Sequence, residues 1–402
     1  MSNIVPPATL APEPALRVLH LNSLLNGGGT DDQCVRLAHQ LVRLGQKIWI
    51  AGPEGHDFTK IVRAIRIPFE PAPEGAAKVR LIFSAAKLIR GERVQIVHGH
   101  HGRDLWPTIV AARLSGLRPK VVLSRHLAKS PSSWFSRHSL LQNCDAMVAV
   151  SQFVARVLRE GAYEPDSSEP ERRSRPPLGG DHSKIHVIHG GIDTSRFRPA
   201  EAAAQREAWK LRQENYAFAV VGGYDLPRGK GQREFLKAAA QVHERIPGAR
   251  FLIIGRGNMK QTLEADINAL GLTGKAWLTP WCQDMAAAMN AVDCLVHPQV
   301  GTEAFQAVVL EAFACGRSVI ASRLDGIPEA FAAGCFGQLV TPESIAELSE
   351  ALVIRMRAPV STWSQRLQLH RRIDQEFSLA VCARKTLELY RRLLSRVSSE
   401  GN

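Results

Sequence analysis

Short apolar runs alternate along this chain with longer stretches of helical period, and that alternation predicts an architecture before any functional residue is considered. Residues 16–21 (LRVLHL) read as a buried strand and glycines 27–29 as a loop. Residues 31–44 place Cys34, Val35, Ala38, Leu41 and Val42 on one face of a helix. A strand at 47–51 completes a βαβ unit, the mark of a parallel sheet covered by helices. Helices at 76–90, 106–114, around Ser139 and at 151–160 then alternate with strands at 94–98, 120–124, 146–150 and 185–188. A second series has strands at 217–221, 251–254, 275–278, 294–296 and 318–321, with helices at 234–245, 259–270, 284–291 and 307–314 between them. Helices at 363–375 and 379–395 finish the chain. The expected class is α/β, with two Rossmann-like, doubly wound parallel-sheet domains facing a central crevice.

Punctuation sets the expected boundaries. Residues 1–15 are Pro/Ala-rich without period and are expected to be disordered. An N-terminal domain, 16–195, contains a polar Pro/Gly-rich segment at 165–183 that reads as a mobile surface loop. A second domain spans 196–377, and 378–402 forms a C-terminal helix expected to pack back on the first domain. Ligands in such sheets bind outside the carboxyl ends of the strands.

Candidate chemistry collects at those ends. The stretch 298–329 holds Glu303 and Glu311 with seven residues between them, and a continuous helix would put both on one side about two turns apart. Two carboxylates can accept hydrogen bonds from sugar hydroxyls while free helix N–H groups hold a diphosphate. The same spacing also fits a plain solvated helix face, so companion features must decide. Gly222, Gly223, Arg228, Lys230 and Gly231 follow a strand and precede a helix, where glycines admit a phosphate chain and the cations neutralise it. Arg256 and Gly257 form a similar loop, which equally fits a plain tight turn. In the first domain Gly28 and Gly29 open a helix, and His98, His100, His101, Arg103 and Asp104 follow a strand. The adjacent His100 and His101 lack a companion ligand cluster and do not read as a zinc site. His126 follows the next strand and fits either a ligand contact or a satisfied structural histidine.

Composition narrows the partners. Apolar content of 45% and charged content of 22% are ordinary for a globular protein. No apolar run reaches bilayer length and the start lacks a secretory pattern, so a cytoplasmic protein is expected. Seven scattered cysteines without CxxC spacing read as reduced and mostly buried. The net charge of +13 lies largely in the first domain, with about 21 Lys and Arg against 11 Asp and Glu up to Glu160. It suits an anionic partner such as nucleic acid, a phosphorylated substrate or an acidic membrane surface, or serves solubility alone. Helix 76–90 carries Lys78, Arg80, Lys87 and Arg90 around apolar residues, and is expected to pack on the sheet ahead of touching a membrane. A basic nucleic-acid-binding protein is a rival reading, but interleaved aromatics and a recognised module are missing, so nucleic acid is not expected as a partner.

The ordered motifs carry a resemblance. EAFQAVVLEAFACG (303–316), GIPE (326–329), KGQ (230–232), VIHGGIDTSRFRP (187–199), VAVS (148–151) and VHGH (97–100) together resemble the retaining family 4 glycosyltransferases of GT-B fold, over nearly all of 17–395. The bacterial members that build lipopolysaccharide and other cell-surface glycans are the type it looks like. That resemblance implies a hexosyltransferase using a nucleotide-sugar donor, with UDP- or GDP-sugar favoured, and without cofactor or metal, in keeping with the lack of a DxD-type acidic cluster. It implies catalytic roles for Glu303, Lys230 and His126, with Glu311 on the donor ribose. Gly28, Gly29, Gly223, Arg228, Arg256, Gly257, Ala304, Phe305 and Gln306 would line the donor site, and His98, His100, His101, Arg103 and Asp104 would meet an anionic glycan or lipid-linked acceptor, with the basic first domain in peripheral contact with anionic lipid on the inner-membrane face. Ala304 and Gln306 stand where the family often has glycine, and Gly190 where asparagine is common. Those departures keep a nucleotide-sugar-binding protein without transferase activity open, whereas a GT-B epimerase shares the architecture but not the motifs. The family's arginine just before the lysine is missing, and Arg228 is expected to replace it. Arg228→Ala should therefore weaken nucleoside diphosphate binding in a calorimetric titration, and unchanged affinity would remove that role.

Overall fold

A computed structural model of the protein describes residues 14–25, 27–54, 57–72, 77–131, 133–164, 167, 173–225, 229–280, 282–331 and 336–399. Most of the expected tail 1–15, and Arg228, lie outside the described residues. The N-terminal domain runs β1 (Arg17–Leu21), α1 (Gly29–Arg43), β2 (Lys47–Pro53), α2 (Asp57–Ala64), β3 (Phe69–Ala72), α3 (Ala77–Gly91), β4 (Ile96–Gly99) and α4 (Leu105–Leu114). It continues through β5 (Lys120–Arg125), α5 (Trp134–Asn143), β6 (Ala146–Ala149), α6 (Gln152–Glu160), the short antiparallel pair β7 (Ala162–Tyr163) and β8 (Ser174–Arg175), and β9 (Ile185–Val187). Its seven-stranded sheet has the order β3-β2-β1-β4-β5-β6-β9, all parallel.

The second domain comprises α7 (Ala203–Ala208), β10 (Tyr216–Val221), α8 (Gln232–Val242), β11 (Ala249–Ile254), α9 (Lys260–Ala269), β12 (Ala276–Leu278), α10 (Met285–Ala291) and β13 (Cys294–His297). It ends with α11 (Ala307–Ala314), β14 (Ser318–Ser322), β15 (Gly337–Val340), α12 (Ile345–Arg357) and α13 (Trp363–Phe377), before α14 (Leu379–Ser399). Its parallel sheet is ordered β12-β11-β10-β13-β14-β15. Each domain therefore reverses strand order beside its first strand, between β1 and β4 and between β10 and β13, and each reversal opens a ligand crevice. Strands buried on both faces read as continuous apolar runs, which made them legible: Ala217–Val221 and Cys294–His297 are buried throughout. The elements α2, β3, β15 and α12 were not anticipated; β3 (FEPA) and β15 (GQLV) are four-residue edge strands with too few positions to show a period.

The chain crosses between the domains twice, and the two crossings lie side by side. Ile192 N–H donates to Phe377 O at 2.9 Å, and Leu379 N–H donates to Ile192 O at 2.9 Å. Gly191 is required here, because a Cβ would sit 2.7 Å from the Leu379 Cα. The return crossing delivers α14 to the N-terminal domain, where Ala383, Leu387, Leu389, Tyr390 and Leu393 join the core formed by Val18, Ile50 and Ile96.

One expectation changes. The segment 165–183 is not wholly a mobile loop: its described part includes β8, and Arg175 is fully buried with its guanidinium on Glu164 and Asp325. Polar composition suggested solvent, but an arginine can be buried when its charge is paired. On α3, Leu81, Ala85 and Ile89 face the core, as sheet packing requires, while Val79 and Phe83 remain about 60% exposed. Among the described residues no helix is long and apolar enough to cross a membrane.

Tyr390 tests the return crossing. Its hydroxyl meets His98 Nδ1 at 2.6 Å inside the core, so Tyr390→Phe leaves a buried imidazole nitrogen without its partner. A loss of about 1–2 kcal/mol in urea unfolding is expected, against no change if the hydroxyl carries no net interaction.

Candidate functional site

The second domain builds one wall from the ends of β10 and β13. After β10 the chain turns through Gly222 and Gly223 and reaches Lys230 and Gly231 just before α8. Gly231 has φ +86°, and a Cβ there would lie 2.1 Å from Pro298 O, so the loop after β10 rests directly on the loop after β13. That contact places Lys230 against the opening stretch of glutamates: its Nζ donates to Glu303 Oε2 at 2.9 Å. Tyr224 N–H donates to Arg256 O at 3.2 Å, so the turn holding Arg256 and Gly257 stacks on the Gly223 turn by backbone contact.

The two glutamates do not share a helix. Helix α11 begins at Ala307 with Gln306 as its N-cap, and Glu303 lies in the preceding loop. Asp325 Oδ2 accepts the Glu303 N–H at 3.0 Å, while Glu303 O accepts the Gly326 N–H at 3.2 Å. These bonds hold the loop open ahead of the helix. Ala304 is buried in the N-terminal core cluster, and Phe305 lies between the domains beside the His189 and Phe377 rings, with centroids at 5.4 and 6.1 Å. Gln306 is buried, and its Nε2 has no protein partner; the same is true of Gln299 Oε1, Thr302 Oγ1 and both His297 ring nitrogens. Left dry, each such atom costs about 1–3 kcal/mol, so their concentration at 297–306 marks a segment shaped for a polar occupant.

Glu311 sits on α11 facing the other domain. Burial pushes its carboxyl up to about 7, opposed by the Arg36 guanidinium of α1 and reinforced by Asp32. No described residue donates a hydrogen bond to it, which leaves an acceptor at the crevice mouth.

The opposite wall comes from the N-terminal domain. Gly28 caps α1 and Gly29 begins it, with no atom within 4 Å of a Cβ at either. Asp31 in that first turn is buried. Burial tends to raise its pKa, but His101, Asn22 and the Gly27 amide outweigh it and hold the carboxyl below its usual value. His101 Nε2 lies 2.7 Å from Asp31 Oδ1, so His101 stays at the crevice edge. Arg103 is exposed beside it. His126 has its Nε2 buried without a protein partner, and burial lowers its pKa to about 3, giving a neutral ring.

Other members of the 98–104 loop are not brought to the surface. His98 is buried between Tyr390 and Ser124, with both ring nitrogens engaged at 2.6 and 2.7 Å. His100 is buried and bonds His20 Nδ1 at 2.8 Å; Asp104 is buried and accepts the Ser23 and His101 amides. These side chains brace the loop, and of the predicted set only His101 and Arg103 remain at the crevice edge. His20, His98 and His100 lie close enough to share a metal ion, yet His98 already spends both nitrogens on hydroxyls.

Two ties across the crevice, and one to the outward crossing, escaped sequence reasoning. Glu329 Oε2 and Oε1 accept the Gln152 and Phe153 N–H groups at 2.7 and 2.6 Å, capping α6 of the other domain, and His189 Nε2 lies 2.8 Å from the same carboxylate. Arg175 and Asp325 pair across the domains with both side chains buried. Gln33 Nε2 donates to Gly191 O at 2.8 Å on the outward crossing. GIPE was visible as a motif, but nothing in it reveals that its glutamate caps a helix 177 residues away.

Fold and site together define the class: two facing Rossmann-like domains with a lysine–glutamate pair and a second glutamate at the mouth. Two family models match, one on each domain: Glycosyltransferase Family 4 over residues 27–167 and Glycosyl transferases group 1 over 215–356. A glycosyltransferase from Rickettsia africae superposes with TM-score 0.79 at 20% identity, covering 94% of this chain and 99% of that one. The Anabaena protein HepE, solved with UDP, gives 0.77 at 18% identity, covering 93% and 99%. The D-inositol 3-phosphate glycosyltransferase of Mycobacterium tuberculosis is 25% identical over 311 residues, which is 71% of this chain, and the match spans 60% of the relative's length.

Glu311 gives the site a pH dependence. Its folded pKa of about 7 exceeds the usual carboxylate value, so its contribution to stability is fully present below about pH 4.5 and lost as pH rises through about 7. Glu311→Gln is expected to flatten the fall in melting temperature across that window, and an unaltered slope would show that Glu311 is not the group responsible.

Proposed function

We propose that the protein transfers a sugar from a nucleoside-diphosphate sugar to a cell-surface glycan or lipid-linked acceptor of lipopolysaccharide-core type, with retention of anomeric configuration. The carrying observation is the Lys230–Glu303 pair at 2.9 Å, set one short loop before the helix that presents Glu311. In this reading Glu311 accepts the ribose hydroxyls, the diphosphate displaces Glu303 from Lys230, and the freed Glu303 turns to the hydroxyls of the transferred sugar. As the glycosidic bond breaks, negative charge grows on the diphosphate, and Lys230 with the amides at Gly28 and Gly29 stabilises it. His126, neutral at working pH, offers a ring nitrogen to the sugar. Support for UDP as donor base comes from HepE, which has been solved with UDP and with UDP-glucose, and support for a surface glycan from the fold shared with the lipopolysaccharide galactosyltransferase WaaB. The reaction is proposed to need no metal, and the protein to work in the cytoplasm or peripherally on the inner membrane.

The deciding experiment is a thermal-shift screen of UDP-, GDP- and ADP-sugars, followed by donor hydrolysis or transfer assays with and without EDTA. UDP-sugars should raise the melting temperature, and EDTA should leave turnover unchanged. Lys230→Ala should lower kcat on the order of 10²–10³-fold with smaller loss of donor affinity, whereas Glu311→Ala should chiefly weaken binding. Donor binding without turnover that depends on Lys230 and Glu303 would instead establish a nucleotide-sugar-binding protein.

A further inference from the structure

Beside the crevice, the N-terminal domain opens a cavity of about 1120 Å³ at the carboxyl ends of β4 and β5, bounded by α5. Its wall carries Arg103, Arg125, Lys129, Arg137 and His101 and, among the described residues, no acidic side chain. Arg125 is the unusual member. It is 5% exposed, and its hydrogen bonds run from Nε and Nη2 to a single carbonyl, Lys129 O. No described carboxylate pairs with it, in contrast to the equally buried Arg175, which has Glu164 and Asp325. Burial alone lowers the Arg125 pKa to about 10, with no nearby acid raising it. A guanidinium does not discharge at neutral pH, so this site holds a desolvated cation whose charge the protein does not neutralise. Its Nη1 lies beside Gly102 in the lining of the cavity, 3.0 Å from where a Cβ on that glycine would sit.

The rest of the wall suits a sugar next to an anion. Trp106 lies on the cavity, fixed by Nε1 donation to Ser136 Oγ at 2.9 Å and by stacking on Phe135 at 5.1 Å. Such a ring gives a sugar an apolar face to lie against. The cavity also adjoins the reacting centre. Ala128 O, one residue before Lys129, accepts from Arg175 Nη1, Arg175 pairs with Asp325, and Asp325 holds the Glu303 amide. On the other side His101 joins the cavity to Asp31 in the first turn of α1.

We propose that this cavity is the acceptor subsite and that it binds a phosphate ester on the acceptor, with Arg125 as the anchor and Arg103 and Arg137 as its flanking cations. The assignment of the phosphate to an acceptor rests on the glycosyltransferase reading above; the anion site itself does not. A planar fork matches tetrahedral phosphate oxygens, and an anion there would pair the buried guanidinium. The phosphate can belong to a soluble phosphorylated sugar or to a lipid headgroup.

Full-length protein saturated with UDP, so that the donor phosphate site is filled, is titrated with inorganic phosphate against sodium chloride of matched ionic strength, with melting temperature as readout. Phosphate should raise the midpoint beyond the chloride control. Arg125→Gln and the exposed Arg103→Gln should each weaken phosphate binding about tenfold or more, Arg125→Lys should restore part of it, and UDP affinity should not change. A structural role alone would lower the Arg125→Gln midpoint and leave the phosphate-dependent rise intact, which overturns the proposal. So does a phosphate response no larger than that of chloride. Flotation with phosphatidylcholine vesicles, with or without phosphatidic acid, separates the sources: recovery with phosphatidic acid that is lost in Arg125→Gln indicates a lipid headgroup, and a phosphate shift without flotation indicates a soluble phosphorylated acceptor. If UDP alone produces no shift, the donor reading fails, while the phosphate titration still decides the anion site.

Discussion

The carboxylate of Glu329 at the amino end of α6 is the contact on which the arrangement of this molecule depends. Two amides of the N-terminal domain and the His189 ring converge on that one group of the second domain. Burial works against its ionisation, but the ring and amides outweigh burial and keep the carboxyl below its usual pKa. Four residues earlier, Asp325 pairs with buried Arg175 and holds the Glu303 amide. The segment that fixes the domains together is thus the one that fixes the glutamate loop.

This coupling gives the crevice its chemistry. Burial pushes the carboxyl of Glu311 on α11 up to about 7, against the opposing pull of Arg36 on α1 of the other domain. On the other side, the Gly231 turn rests on Pro298 and delivers Lys230 to Glu303. Neither pairing arises within one βαβ unit. The first joins helices of different domains, and the second joins the loops after β10 and β13, where the sheet order reverses.

Much of the histidine-rich loop after β4 supports rather than touches the crevice. His98 ties β4 to Ser124 and to Tyr390 of α14, and His100 stacks between His98 and His20. Burial keeps all three rings neutral, so they act as hydrogen-bonding packing elements. Histidines placed after a strand read equally well as ligands or as braces, because the sequence records their order and not their depth. Arg125 illustrates the reverse case: an arginine at a strand end looked unremarkable until its burial without an acid partner was visible.

The sequence by itself determined the two sheets, most of their helices and the strand ends where ligands bind, because strands buried on both faces and amphipathic helices leave periods of their own. It also exposed Glu303, Glu311, Lys230 and the glycine turns, whose residue types are constrained by local backbone needs. It misjudged the link between the glutamates, since helical spacing does not reveal that Gln306 starts the helix and leaves Glu303 outside it. The polar segment around Arg175, the α6 cap made by Glu329, and the unpaired charge of Arg125 were decided only by tertiary structure. Burial and charge pairing are properties of distances between residues remote in the chain, and no local pattern encodes them.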